Sequence, residues 1–177
     1  MKELFISFAK YNKEADKTVY AILDGLSNDE REKDRGSYYK SLSGLFVHCL
    51  GGTVFILGLL KEALKNSPAR EALTVLESVT VPQKSLDAEQ WKALGAAFEK
   101  ADDACIDLVS ALREEDLKAQ VTLSWYKGNP PSVPVAFLIQ GLITHGIHHR
   151  GQISQILDSL KIKNDYSGLS PAFIPKL

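Results

Sequence analysis

From Ser41 to Leu60 the chain reads SLSGLFVHCLGGTVFILGLL, with no formal charge between Lys40 and Lys61. A helix of this length with no charged side must be surrounded, either by lipid or by other helices. Ser41, Ser43, Gly44, His48, Gly51, Gly52, Thr53 and Gly58 dilute the run and favour the second surrounding. The rest of the chain agrees. Of 177 residues, 45% are hydrophobic and 24% charged, enough apolar mass for one sizeable core but not two. A single domain over residues 1–177, without a membrane span, is the expectation.

Partners for that helix can be read on both sides of it. Phe8, Tyr11, Ala15, Thr18 and Ile22 alternate steps of three and four, so a first helix runs from Lys2 to Leu26 and stops near Gly25. The charge run from Asp29 to Arg35 reads as a solvated loop, followed by the second helix from about Lys40 to Lys65. Ser67 and Pro68 offer a cap and a first-turn proline for a short helix, AREALTVLES. Trp91, Leu94, Phe98, Ala101, Cys105, Leu108 and Leu112 form the strongest periodic stripe, with Asp87 and Gln90 spaced as a capping box ahead of it. Val121, Leu123 and Trp125 alternate as in a short extended excursion before the Gly128-Asn129-Pro130-Pro131 break. Pro134 opens a fourth helix reaching about Leu160, and the Gly- and Pro-punctuated tail is expected to pack along the surface. Four long helices, each with a face to bury, make an all-α four-helix bundle.

Three of the four histidines fall within ITHGIHHRGQ on the fourth helix. At roughly 100° per residue, Leu138, Leu142, His145, His149, Ile153, Ile156 and Leu160 share one stripe. His145 and His149 therefore face the core one turn apart, close enough for two imidazoles to share a cation. His148 falls on the wetter flank, with Gln152, Gln155 and Ser159. The remaining histidine, His48, sits mid-way along the charge-free helix, on a face with Leu45, Gly52, Phe55 and Leu59. A lone core histidine is more often satisfied by a carbonyl or water than by a metal. Three inward ones would leave several buried polar groups unpaired, at roughly 1–3 kcal/mol each, whereas one divalent ion engages all three lone pairs.

The run H-x3-H-R-G-Q at His145, His149, Arg150, Gly151 and Gln152, the earlier histidine in SLSGLFVHCL and the first helix YNKEADKTVYAIL together resemble the DinB-like (DinB/YfiT) family over nearly the whole chain. The resemblance implies a four-helix bundle, often a homodimer, with one divalent ion on His48, His145 and His149, the same set the helix faces select. Zinc and nickel are the leading candidates, and imidazole ligands suit both. Characterised relatives include enzymes that use low-molecular-weight thiols such as bacillithiol or mycothiol, and others resemble hydrolases. The chain departs from the family where an aspartate and a tryptophan are expected after the first histidine; Thr53 and Phe55 or Ile56 stand there. That departure leaves the ligands intact and removes any inference about substrate.

Three histidines leave a coordination position open, so a metal-dependent thiol S-transferase or hydrolase-like enzyme acting on a small molecule is the leading reading. The alternative is a non-catalytic metalloprotein in which the ion staples two helices. With 21 basic and 22 acidic residues the net charge is -1, and no basic field exists to bind nucleic acid. Cys49 and Cys105 lack a CxxC spacing and read as buried small hydrophobes in a reducing, cytoplasmic compartment. The N-terminal apolar run is too short for a signal peptide. Gln152, Asp102, Asp103 and Asp16 are candidates to orient the ligands, and Arg150 points away from the stripe toward surface or interface. Phe46, Leu50, Val54 and Leu57 lie round the other sides of the second helix and need cover. With Gly44, Gly51 and Gly58 permitting close approach, a homodimer through that helix would supply it.

Overall fold

Four long helices dominate the computed structural model, which describes residues 1–83 and 86–167. They are α1 (Lys2–Asp24), α3 (Leu42–Ala63), α4 (Ala88–Ala111) and α5 (Val135–Ser159), packed as a bundle in which α1 lies on α4 and α3 on α5. A short helix α2 (Asn28–Glu32), 3₁₀ segments at Pro68–Ser78 and Asp116–Lys118, and the strands β1 (Gln120–Thr122) and β2 (Ser132–Pro134) fill the connections. The two strands pair antiparallel with Val121 opposite Val133, and β2 runs directly into α5, whose first N–H (Val135) bonds to the Ala119 carbonyl.

The ends of these helices follow from their residues. Asp87 accepts from the Gln90 backbone N–H while the Gln90 side chain accepts from that of Asp87, the reciprocal cap expected for α4. Ser41 caps α3 by accepting from Gly44 N–H at 3.0 Å. The segment after Ser67 and Pro68 winds as 3₁₀ rather than α, with Ala69 and Leu73 as its buried residues. The charge run contains a helical turn, because Arg31 is buried and its guanidinium donates to the Leu23 and Leu26 carbonyls at 3.2 and 2.6 Å. Those carbonyls lie at the C-terminal end of α1, where backbone acceptors lack intrahelical donors.

Two helix faces differ from the sequence expectation. The buried stripe of α1 is Phe5, Ala9, Asn12, Ala15, Asp16, Val19 and Leu23, while Phe8 is 39% exposed. Two inward polar residues, Asn12 and Asp16, break the apolar signal of the true face. On α3, Leu45 is buried as expected, but Phe46, Leu50 and Leu57, expected on the other sides, are fully buried in the bundle and Phe55 is 53% exposed. A helix apolar on every side has no polar edge to orient it. By length and composition α3 could cross a membrane; here Leu42, Leu45, Phe46, Leu50, Leu57 and Leu60 are buried against its neighbours. Of the expected surface-packed tail, Tyr166 is buried and its hydroxyl donates to the Arg150 carbonyl; residues 168–177 lie outside the described part.

Candidate metal centre

The α3–α5 contact brings His48, His145 and His149 together, with their candidate ligand nitrogens all within 4.8 Å of one another. The Nε2 atom of His48 lies 3.0 Å from that of His149 and 3.1 Å from that of His145. The approach depends on Gly52: a Cβ there would stand 2.3 Å from Cε1 of His145, so only glycine leaves room for that ring against α3. Gly51 and Gly58, expected to permit close helix approach, make only an ordinary contact or none. His148, one residue from His149 on the exposed flank, is not part of the cluster.

Hydrogen bonds orient the rings. His149 Nδ1 sits 2.7 Å from Gln152 Oε1, an acceptor, so Nδ1–H donates and Nε2 bears the lone pair. The Tyr39 hydroxyl is 2.9 Å from His48 Nε2, and burial raises the Tyr39 pKa, so the group beside that ring is a neutral phenol at pH 7. The facing Nε2 atoms of His48 and His149, 3.0 Å apart, are close enough to share either a proton or a cation. Burial, followed by the neighbouring imidazoles, pushes His145 down to about 4, and burial also lowers His48 and His149. All three are therefore neutral near pH 7 and available as ligands. The donor set, its convergence and the Gln152 contact fit a divalent cation.

Tyr39 was not visible as a site residue in the sequence. Its ring stacks on His48 at 4.0 Å and meets His149 edge-on at 5.5 Å. It is held there by a turn in which Lys40 adopts φ 69°, a left-handed conformation unusual for lysine. The Tyr39 carbonyl then presses on the first turn of α3, where a Cβ on Gly44 would lie 2.1 Å from it. The signal available in the sequence was the pairing of an aromatic just before the cap with glycine three residues after Ser41.

The other expected residues divide. Gln152 orients His149. Asp16 instead pairs with Arg150 at 2.8 Å, and Arg150 is 1% exposed, so it is a core residue rather than a surface or interface one. Gly146 makes the space, since a Cβ there would meet Arg150 Nη1 and Asn12 Oδ1 at 2.8 Å. Asp103 forms an ion pair with Lys13, and Asp102 is buried facing a cavity between α1 and α4. Burial pushes the Cys105 thiol up to about 12 and raises Cys49 as well, consistent with inert core cysteines.

Against this geometry, the DinB family model matches residues 1–160. The chain belongs to the DinB family. No curated protein matches this DinB chain. The family assignment and the three-histidine cluster agree on metal binding as its common theme.

Proposed function

We propose that this DinB protein is a divalent-metal-dependent enzyme acting on a small molecule, with the ion on Nε2 of His48, His145 and His149. The observation that carries the reading is the convergence of three neutral imidazole nitrogens with a phenol hydroxyl at their edge. Zinc or nickel would supply Lewis acidity and lower the pKa of a thiol or water at its open position. The chain's own residues do the rest. Gln152 holds His149 in its productive tautomer, and Gly52 seats His145. Tyr39, protonated at neutral pH, stands where it can give a proton to a departing group. A small cavity of about 200 Å³ beside it, lined by Tyr38, Tyr39, Gln152 and Gln155, gives a reactant access.

Thiol S-transfer and hydrolysis are separated by assaying the metal-loaded protein with low-molecular-weight thiols plus electrophilic acceptors, and with simple esters and amides. Tyr39→Phe should retain metal and lose roughly a hundredfold in turnover. If metal removal lowers the melting temperature and no substrate class turns over, the ion is a staple between α3 and α5, a reading favoured by the ligands coming from those two helices alone. A soluble cytoplasmic homodimer is part of the proposal. The exposed rings of Phe55, Trp125 and Tyr126 form the surface for a second copy, with Phe55 and Trp125 5.4 Å apart. Light scattering showing the same mass for native protein and Phe55→Glu would remove that surface from the proposal.

A further inference from the structure

One cavity lies away from the histidines. It lies between α1 and α4, encloses about 450 Å³, and is lined by Tyr20, Phe98, Gly95 and Ala96 with Asp16 and Asp102 beneath and Lys13, Lys17, Glu14 and Glu99 around them. This volume is in the range of small-molecule sites. Asp102 is 4% exposed and Asp16 3% exposed. Asp16 is matched by Arg150 and by Asn12, which donates at 3.3 Å. Asp102 makes no hydrogen bond or ion pair among the described residues, because the nearby Lys13 is taken by Asp103. Of the two buried carboxyl groups, only Asp16 is paired with the buried guanidinium. Asp102 lines the cavity, so whatever enters the cavity can complete its carboxyl group.

The walls indicate what completes it. A Cβ on Gly95 would stand 2.5 Å from the Tyr20 ring, which in turn stacks on Trp91 at 5.2 Å, so the glycine gives this aromatic wall its room. The lining carries four carboxylates, Glu14, Asp16, Glu99 and Asp102, against Lys13 and Lys17. We propose that this cavity is a second ligand site, independent of the metal centre, for a small organic cation: a primary amine on a compact apolar body, its ammonium on Asp102 and its body between Tyr20 and Phe98.

Calorimetric titration of the full-length, metal-loaded protein with benzylamine and with its neutral counterpart benzyl alcohol tests this. Benzylamine should bind with one site per chain, and benzyl alcohol roughly tenfold more weakly or worse. Asp102→Asn should lose the preference for the amine, and Ala96→Trp, a change at an exposed wall position, should block both ligands. Chelation of the metal should leave benzylamine affinity unchanged, which separates failure here from failure of the catalytic reading. Without ligand, Asp102→Asn should melt at the same temperature or higher, since it removes an unmatched buried acid. Equal affinity for alcohol and amine, an unaltered amine preference in Asp102→Asn, a lowered melting temperature in that variant, or no binding by benzylamine at millimolar concentration would each overturn the proposal.

Discussion

Two polar clusters interrupt the apolar core of this bundle, and they are built on opposite principles. Between α3 and α5, three imidazoles turn ring nitrogens toward one another within reach of a single shared cation. Beside them, Asp16 and Arg150 form an internal ion pair at 2.8 Å, with the cation provided by the chain itself. The first cluster is open to a ligand; the second holds its own cation, with Asp102 beside it. The two meet at consecutive residues, His149 and Arg150, which α5 presents to different neighbours. Burial alone does not distinguish a structural polar residue from a functional one, whereas the balance of donors and acceptors does.

The largest effect should come from breaking the closed cluster. Arg150→Met leaves Asp16 buried without its cation, and unfolding by denaturant should show a loss of about 3–5 kcal/mol. Asp16→Leu combined with Arg150→Met should recover most of it, because removing both charges also removes the need for each. A double variant as unstable as the single one would mean that the pair does more than neutralise itself.

Next is the open cluster. A divalent ion held a thousandfold above its dissociation constant should stabilise the native protein by about 4 kcal/mol, read as a rise in melting temperature over chelator-treated protein. His48→Ala, His145→Ala and His149→Ala should abolish that rise and the metal content, and His148→Ala should leave both intact. Metal retained in His149→Ala but lost in His148→Ala would reverse the assignment of faces on α5.

Smaller changes should follow at the residues that only support the ligands. Gln152→Ala frees the His149 ring and should weaken metal binding by about tenfold or somewhat more. Gly52→Ala forces its Cβ toward the His145 ring and should weaken binding by a similar factor, while an unchanged affinity would show that α3 and α5 can separate to accommodate it. Competition against a metal-sensitive dye measures both.

The smallest effect is a difference in sign with pH. In chelator-treated protein the imidazoles have folded pKa values below the unfolded 6.5, His145 at about 4, so the unfolded chain takes up protons first. Stability is then full above 6.5 and falls as the pH drops toward 4. Asp102, raised by burial and then by Asp16 against the opposing fields of Arg150 and Lys13, does the reverse. Its contribution is present below the unfolded 3.8 and is lost as the pH rises through its folded value. Asp102→Asn should remove the second slope and leave the first. Two slopes of the same sign would show that one of these clusters is not neutral in the folded state.

Much of this was written in local pattern. The three-four rhythm and capping box of α4, the proline before α5 and the stripe holding His145 and His149 are short-range signals, and each survived in the fold. Other residues carried no local signal. Arg150 lies off the ligand stripe, and its burial depends on Asp16, 134 positions earlier. The position of Tyr39 depends on a left-handed Lys40, which the sequence does not advertise. The faces of α3 were illegible because apolar residues surround it, so only the neighbours could decide that Leu50 goes in and Phe55 stays out.

The sequence by itself determined that the chain is helical, that His145 and His149 share a face one turn apart, and that a third histidine lies on a helix that must be buried. Periodicity repeats within a few residues, and hydrophobicity is a property of each side chain, so both are local. Only the tertiary structure decided that His48 meets the pair at 3.0 and 3.1 Å, that Gly52 clears the space for His145, and that the cation needed by Asp16 comes from α5. Those outcomes depend on how two helices dock, and docking is set by the summed packing of many side chains rather than by any pattern along one of them.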